Sequence, residues 1–135
     1  MVAFHADFVH RPLSILLVED HADTAAMIAS LLAQHGHAVQ LVGSVEGAVR
    51  SVVEQTFDVI ISDVGLPDGS GVSLMHGIRP FCRTPAIALT AYGSREDIEC
   101  CRRAGFDLHL AKPADFAALS AAIEKVVAKN PDALG

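Results

Sequence analysis

Short, nearly continuous apolar runs recur along the chain and are separated by longer segments of mixed polarity. Runs of this kind are typical of strands in a parallel sheet, where both faces of each strand are buried. Most of the runs end abruptly at a charged residue, a hydroxyl or a turn-forming residue, as short strands do. The predicted strands occupy residues 13–18, 38–42, 59–61, 86–89 and 108–111.

The segments between these runs carry apolar residues at helical spacing. The first predicted helix places Met27, Ile28, Leu31 and Leu32 on one face and ends at Gly36. Ser44 and Ser94 are predicted caps of later helices, and residues 65–71 are predicted to form a loop with Asp68 in its turn. The four further predicted helices cover about residues 45–55, 72–78, 95–104 and 116–129.

Five strands that alternate with five helices predict an α/β fold with a doubly wound parallel sheet, covered on both faces. The length of 135 residues fits one domain. We expect this domain to cover residues 13–129, with residues 1–12 as a leader or linker and residues 130–135 as a C-terminal tail.

Composition narrows the function classes. The net charge of -6 argues against a surface for nucleic acid or for an anionic membrane, because both need clustered Lys and Arg. The three cysteines show no metal-ligand spacing and fit free thiols in a reducing compartment. No apolar run approaches the length of a membrane span, and the N-terminus lacks the apolar stretch of a signal peptide. We therefore expect a cytoplasmic protein.

Reactive polar residues follow four of the apolar runs. Glu19 and Asp20 follow the first run, Asp63 the third, Thr90 the fourth and Lys112 the fifth. Ligands of open α/β sheets bind outside the carboxyl ends of the strands, at the point where the strand order reverses. We expect these five side chains to converge on one crevice.

The chemistry of that crevice points to phosphate. Three carboxylates repel one another unless a cation intervenes, and oxygen ligands favour a hard ion such as Mg²⁺ over zinc. Lys112 adds a positive charge and Thr90 adds a hydroxyl donor, so a phosphoryl group would be neutralised and positioned there. Asp63 is the natural nucleophile, and its product would be an aspartyl phosphate.

Four ordered motifs resemble those of the receiver domains of two-component response regulators. They are Val18-Glu19-Asp20, the stretch from Asp63 to Gly71, Leu89-Thr90-Ala91 and Lys112-Pro113. The resemblance covers about residues 13–129 and implies the flavodoxin-like (βα)5 fold, a five-stranded sheet in the order 2-1-3-4-5. The stretch that follows Asp63 resembles receivers of hybrid histidine kinases most closely.

The resemblance implies that Asp63 accepts a phosphoryl group from a histidine kinase or a histidine phosphotransfer protein. It also implies a Mg²⁺ site made by Asp20, Asp63 and the backbone carbonyl of Gly65, with Glu19 acting through water. A receiver of this kind is a signalling phosphoacceptor rather than an enzyme.

The resemblance further implies that Thr90 and Lys112 bind phosphoryl oxygens and that the Lys112-Pro113 bond is cis. In the family an aromatic switch residue lies three positions before the lysine, and His109 occupies that position here. Thr90 and His109 would reshape the face made by the fourth helix, fifth strand and fifth helix, where a downstream protein binds. Tyr92 would partly cover the phosphate.

Three other functions fit less well. A phosphatase of the haloacid dehalogenase type needs an Asp two residues after the nucleophile, where this chain has Gly65. A flavodoxin-like nucleotide binder needs a phosphate-cradling loop after the first strand, where this chain is acidic. A receiver that binds partners without phosphorylation is the main alternative.

The chain is expected to be a stand-alone receiver or, slightly preferred, a receiver excised from a hybrid kinase.

Overall fold

A computed structural model describes residues 11–91 and 95–128. Within these ranges the chain forms a five-stranded sheet and five helices. The strands are β1 (Ser14–Val18), β2 (Ala38–Val42), β3 (Val59–Asp63), β4 (Ala86–Thr90) and β5 (Leu108–Ala111). The helices are α1 (Ala22–Gln34), α2 (Val45–Glu54), α3 (Gly71–Ile78), α4 (Arg95–Ala104) and α5 (Phe116–Ala128).

The sheet has the order β2-β1-β3-β4-β5, and every neighbouring pair is parallel. This confirms the predicted doubly wound α/β fold and its order 2-1-3-4-5. The chain moves outward from β1 to β2 and then returns across β1 to β3, so the order reverses between β1 and β3. That reversal opens the crevice in which ligands of such sheets bind.

Two apolar clusters cover the two faces of the sheet. Ile15 and Leu17 of β1 belong to the cluster that includes residues of α1 and α5. Leu16 and Val18 belong to the other cluster, which includes residues of α2, α3 and α4. Successive side chains of a strand point to opposite faces. Both faces are covered along the central strands β1, β3 and β4, so these three are nearly continuous apolar runs, whereas the edge strands β2 and β5 are partly exposed.

Helix α1 corrects one detail of the predicted apolar face. Met27 is 52% exposed, whereas Ala25, Ile28 and Leu32 are the buried residues of this helix. The sheet therefore takes a stripe of residues three and four apart, and the small side chain of Ala25 completes it. Met27 is apolar and therefore fits the sequence pattern of a core-facing residue, but its side chain lies on the solvent side of the helix.

The predicted loop at 65–71 contains a small antiparallel hairpin between Gly65–Leu66 and Gly69–Ser70. Ser44 caps α2 as predicted, because its side chain accepts a hydrogen bond from Gly47 N at 3.0 Å. The predicted leader up to residue 10, the cap Ser94 and the tail at 130–135 lie outside the described residues. None of the helices in the described part of the chain has the length and apolar character that crossing a bilayer would require.

Candidate functional site

The carboxyl ends of four adjacent strands deliver the candidate residues to one edge of the sheet. Asp63 is the last residue of β3 and Thr90 is the last residue of β4. Glu19 and Asp20 directly follow β1, and Lys112 directly follows β5. Since β1, β3, β4 and β5 are neighbours in this order, residues from four distant parts of the sequence meet.

Lys112 links two of the carboxylates directly. Its Nζ lies 2.7 Å from Glu19 Oε1 and 3.0 Å from Asp63 Oδ2. Burial alone would lower the pKa of Lys112, but hydrogen bonds and charge interactions with Glu19 and Asp63 outweigh it and raise the pKa. The ammonium group is therefore held in its charged form, between two carboxylates that are themselves largely removed from water.

The two acidic residues after β1 differ in exposure to solvent. Glu19 is buried, its backbone N donates to Val42 O at 3.0 Å, and its Oε2 accepts from His21 N at 3.1 Å. Asp20 is exposed, and ligand atoms of Glu19, Asp20 and His21 lie within 4.8 Å of one another. Among the described residues, Lys112 offsets one of the three negative charges of Glu19, Asp20 and Asp63, so the charge balance of this oxygen-rich site favours a further cation.

Thr90 is buried, with 3% of its surface exposed, and its hydroxyl has no hydrogen-bond partner among the described residues. A buried hydroxyl without a partner costs free energy, which a bound ligand oxygen would recover. On the backbone, Thr90 O accepts a hydrogen bond from Lys112 N at 2.7 Å. The peptide bond between Lys112 and Pro113 is cis, as the resemblance implies. Thr90 and Lys112 thus form one wall of the crevice.

The loop after β3 carries Gly65 and leads into α3. Gly65 is exposed, and a Cβ atom built there would meet nothing within 4 Å. At Gly71 a Cβ atom would lie 2.7 Å from the carbonyl oxygen of Asp63, closer than nonbonded heavy atoms tolerate. Glycine at position 71 is therefore what lets α3 begin against the backbone of Asp63.

Sequence reasoning missed the role of Asp68, which it placed only in the turn. The carboxylate of Asp68 accepts hydrogen bonds from Val45 N at 2.8 Å and Glu46 N at 3.1 Å. These two amides open α2, so the turn is tied to a different helix. No local signal identifies this contact, because its partners lie more than twenty residues earlier in the chain.

His109, the expected switch residue, lies on the edge strand β5 and is exposed. Together with Ile98, Cys101 and Phe106 it lines a cavity of about 220 Å³ between α4 and β5. The imidazole thus sits beside a mostly apolar recess on the face expected to bind a partner. Tyr92, expected to cover the phosphate, lies outside the described residues.

Known proteins share both the sequence pattern and the fold. The chain is 32% identical over 121 residues to the transcriptional regulatory protein ZraR of Escherichia coli, covering 88% of this chain and 27% of that protein. It is 32% identical over 106 residues to an uncharacterized 14.6 kDa protein of Leptolyngbya boryana, covering 76% of this chain and 81% of that one. The chain thus spans most of the Leptolyngbya protein but about a quarter of ZraR.

A solved structure offers a comparison for the site. The receiver domain of the sensor histidine kinase PA1611 from Pseudomonas aeruginosa superposes with a TM-score of 0.81 at 36% identity. The match covers 87% of this chain and 99% of that domain, which has a magnesium ion coordinated in its active-site cleft. Residues 15–124 of this chain match the family described as the response regulator receiver domain. The chain therefore belongs to the receiver domain family of two-component signalling systems.

Proposed function

We propose that this chain is a phosphoacceptor, in which Asp63 takes a phosphoryl group from a histidine kinase or a histidine phosphotransfer protein. The observation that carries the proposal is the pairing of Asp63 with Lys112 at 3.0 Å, next to Thr90, whose buried hydroxyl has no hydrogen-bond partner in the described part of the chain. A nucleophilic carboxylate, a fixed cation and a free donor are the groups that phosphoryl transfer requires.

In the proposed reaction a carboxylate oxygen of Asp63 forms a bond to phosphorus while the bond between phosphorus and the donor atom breaks. The donor atom is a histidine nitrogen of the kinase, and the electron pair of the broken bond stays on that nitrogen. Lys112 neutralises charge on the transferred oxygens, and the hydroxyl of Thr90 donates a hydrogen bond to one of them. Attack of water on phosphorus later returns the carboxylate and releases inorganic phosphate.

Mg²⁺ fits the donor set of the crevice. Asp20, Asp63 and the backbone carbonyl of Gly65 would hold the ion, with Glu19 acting through a water molecule. Bound Mg²⁺ supplies positive charge to the carboxylates and to the phosphoryl oxygens. Two features support this assignment: the excess of carboxylates over ammonium groups in the crevice, and the magnesium ion in the cleft of the PA1611 receiver.

The same contacts connect Thr90 to the surface formed by α4, β5 and α5, where we propose that a downstream protein binds. Movement of Thr90 towards a phosphoryl oxygen would shift the end of β4, which pairs with β5 at Ala111. His109 lies two residues before Ala111 on β5 and faces the recess next to α4. Phosphorylation of Asp63 would in this way change the surface of α4, β5 and α5 and its affinity for a downstream protein.

The test is labelling by acetyl phosphate with and without Mg²⁺, read by intact mass. The wild type should gain one phosphoryl group only when Mg²⁺ is present, and Asp63→Asn should gain none. Asp58→Asn is the matched control, since Asp58 directly precedes the other end of β3, where its carboxylate accepts a hydrogen bond from Ser14 N at 2.8 Å and lies 3.9 Å from Arg11. The control should be labelled like the wild type.

Absence of labelling in the wild type, under conditions that label another receiver, would refute the proposal. It would favour the alternative of a module that binds its partners without phosphorylation. Labelling of Asp63→Asn would instead move the acceptor to another residue.

A further inference from the structure

The loop from β3 to α3 carries Gly65 and is fixed at its two ends. Gly71 N donates to Val64 O at 2.7 Å, and Ser70 and Ser73 form a capping box at the start of α3. The tip of the loop, at Pro67 and Asp68, is exposed. A hairpin of this length needs support from outside itself to hold one position.

Asp68 supplies a contact from the tip to α2. Its carboxylate accepts hydrogen bonds from Val45 N and Glu46 N, the first two amides of that helix. These bonds, first that from Val45 and then that from Glu46, hold the pKa of Asp68 below its ordinary value. A charged acceptor at a helix N-terminus also interacts favourably with the helix dipole.

The start of α2 in turn lies against the acidic pair. Val42 O accepts a hydrogen bond from Glu19 N at 3.0 Å, and a Cβ atom at Gly43 would lie 3.8 Å from the Cα atom of Asp20. The segment at 42–46 therefore touches the Glu19–Asp20 half of the crevice on one side and Asp68 on the other. Besides the pairing of β1 with β3, the loop that bears Gly65 is thus linked to the Glu19–Asp20 half of the crevice through this segment.

We infer that Asp68 is a positioning residue for Mg²⁺, because it holds the Gly65 loop at a set distance from Glu19 and Asp20. The inference deepens the proposed function and rests on it. Asp68 is not among the residues proposed to hold the metal or the phosphoryl group. It acts by limiting the positions of a backbone carbonyl, which would otherwise have to be ordered at the moment of binding.

A plain helix cap is the competing explanation, and the chain offers a control for it. Ser44 caps the same first turn of α2 through Gly47 N but has no hydrogen bond to the 65–71 loop. Replacing Ser44 by alanine weakens the helix but keeps the hydrogen bonds that Val45 N and Glu46 N donate to Asp68. Replacing Asp68 by alanine removes these two bonds, and with them both the link to the loop and their contribution to the helix.

The experiment is a titration of the full chain with Mg²⁺ alone, followed by amide NMR shifts, for the wild type, Asp68→Ala, Asp68→Asn and Ser44→Ala. Asp68→Ala should raise the Kd for Mg²⁺ by about tenfold, the lower end of the effect of losing an outer-shell group. Asp68→Asn should recover most of the affinity, because its amide oxygen still accepts a bond. Ser44→Ala should lower the melting temperature and keep the wild-type Kd.

Labelling by acetyl phosphate gives a second readout. Asp68→Ala should be labelled slowly at low Mg²⁺ and at the wild-type rate once Mg²⁺ saturates the site, since the reacting groups are unchanged. Wild-type affinity in Asp68→Ala, or equal weakening in Ser44→Ala, overturns the inference and leaves the proposed function standing. Tight Mg²⁺ binding without labelling of wild-type Asp63 overturns the proposed function alone, and absence of Mg²⁺ binding by the wild type overturns both.

Discussion

Replacing Gly71 by alanine should damage the site through the backbone of Asp63 itself. The added Cβ atom would lie 2.7 Å from Asp63 O, 3.2 Å from the Phe106 ring and 3.3 Å from Val64 Cα. Two of these three neighbours are backbone atoms of β3 and its continuation, which cannot rotate away as a flexible side chain can. The clash must be relieved by moving either the start of α3 or the end of β3.

The expected cost is that of overpacking a buried position, about 2 kcal/mol within the usual range of 1–3. For a chain of this length about 3 °C of melting temperature corresponds to 1 kcal/mol, so Gly71→Ala should melt about 6 °C lower. Gly77 lies in the same helix and nothing lies within 4 Å of a Cβ atom there. Gly77→Ala should therefore stabilise the protein by about 0.5–1 kcal/mol through helix propensity.

Thermal and urea unfolding of the two variants, measured side by side, checks these values. Labelling of Asp63 by acetyl phosphate at saturating Mg²⁺ should also slow in Gly71→Ala and stay unchanged in Gly77→Ala. Equal stability of the two variants would refute the reasoning, because it would mean that the contact with Asp63 O relaxes without cost.

Lys112→Met should destabilise the metal-free protein by about 3 kcal/mol, the low end for breaking a buried ion pair, because Glu19 and Asp63 lose their shared cation; urea unfolding should recover part of this loss when Mg²⁺ is added. The pKa of Lys112 is raised in the folded protein, so its stabilising effect is complete below the ordinary lysine value of 10.5 and declines as the pH rises through the raised value. The wild type should lose stability over that alkaline range, whereas Lys112→Met should show a smaller loss in the same pH series. Arg79→Ala should cost about 2–3 kcal/mol, because the guanidinium donates to three backbone carbonyls after α3 and α4 that water would reach poorly. Arg50→Ala removes only an exposed pair on α2 and should change the unfolding free energy by less than about 0.5 kcal/mol, so equal losses in the two arginine variants would contradict this assignment.

The three central strands were predictable because they are almost wholly buried, and strands buried on both faces are continuous apolar runs. The edge strands β2 and β5 are only partly buried, yet their predicted bounds, 38–42 and 108–111, agree with the structure to the residue. The polar residues at strand ends were equally visible, since a doubly wound sheet has one edge at which they can meet. Lys112 therefore lies beside Glu19 and Asp63, although the three are separated by tens of residues in sequence.

Contacts between segments with no shared periodicity could not be predicted. Asp68 is one of several polar residues in a turn, and only the packing of the hairpin against α2 decides which amides its carboxylate reaches. Arg79 is similar, because its partners are carbonyls exposed by two helix ends that approach only in the folded protein. Met27 was predicted on the apolar face of the first helix, because hydrophobicity alone cannot distinguish a buried residue from an apolar neighbour on the solvent side.

The strand order has a consequence for how the chain becomes competent to signal. β1 is the first strand in sequence, yet one of its two neighbours is β3, and the cation opposite Asp63 follows the last strand. Pairings between distant segments form late, because loop closure must precede the contacts that compensate for it. A partly folded chain that has assembled β1 and β3 holds the acidic residues but lacks Lys112. The proposed phosphoacceptance therefore requires β5 to be in place, because Lys112 directly follows that strand.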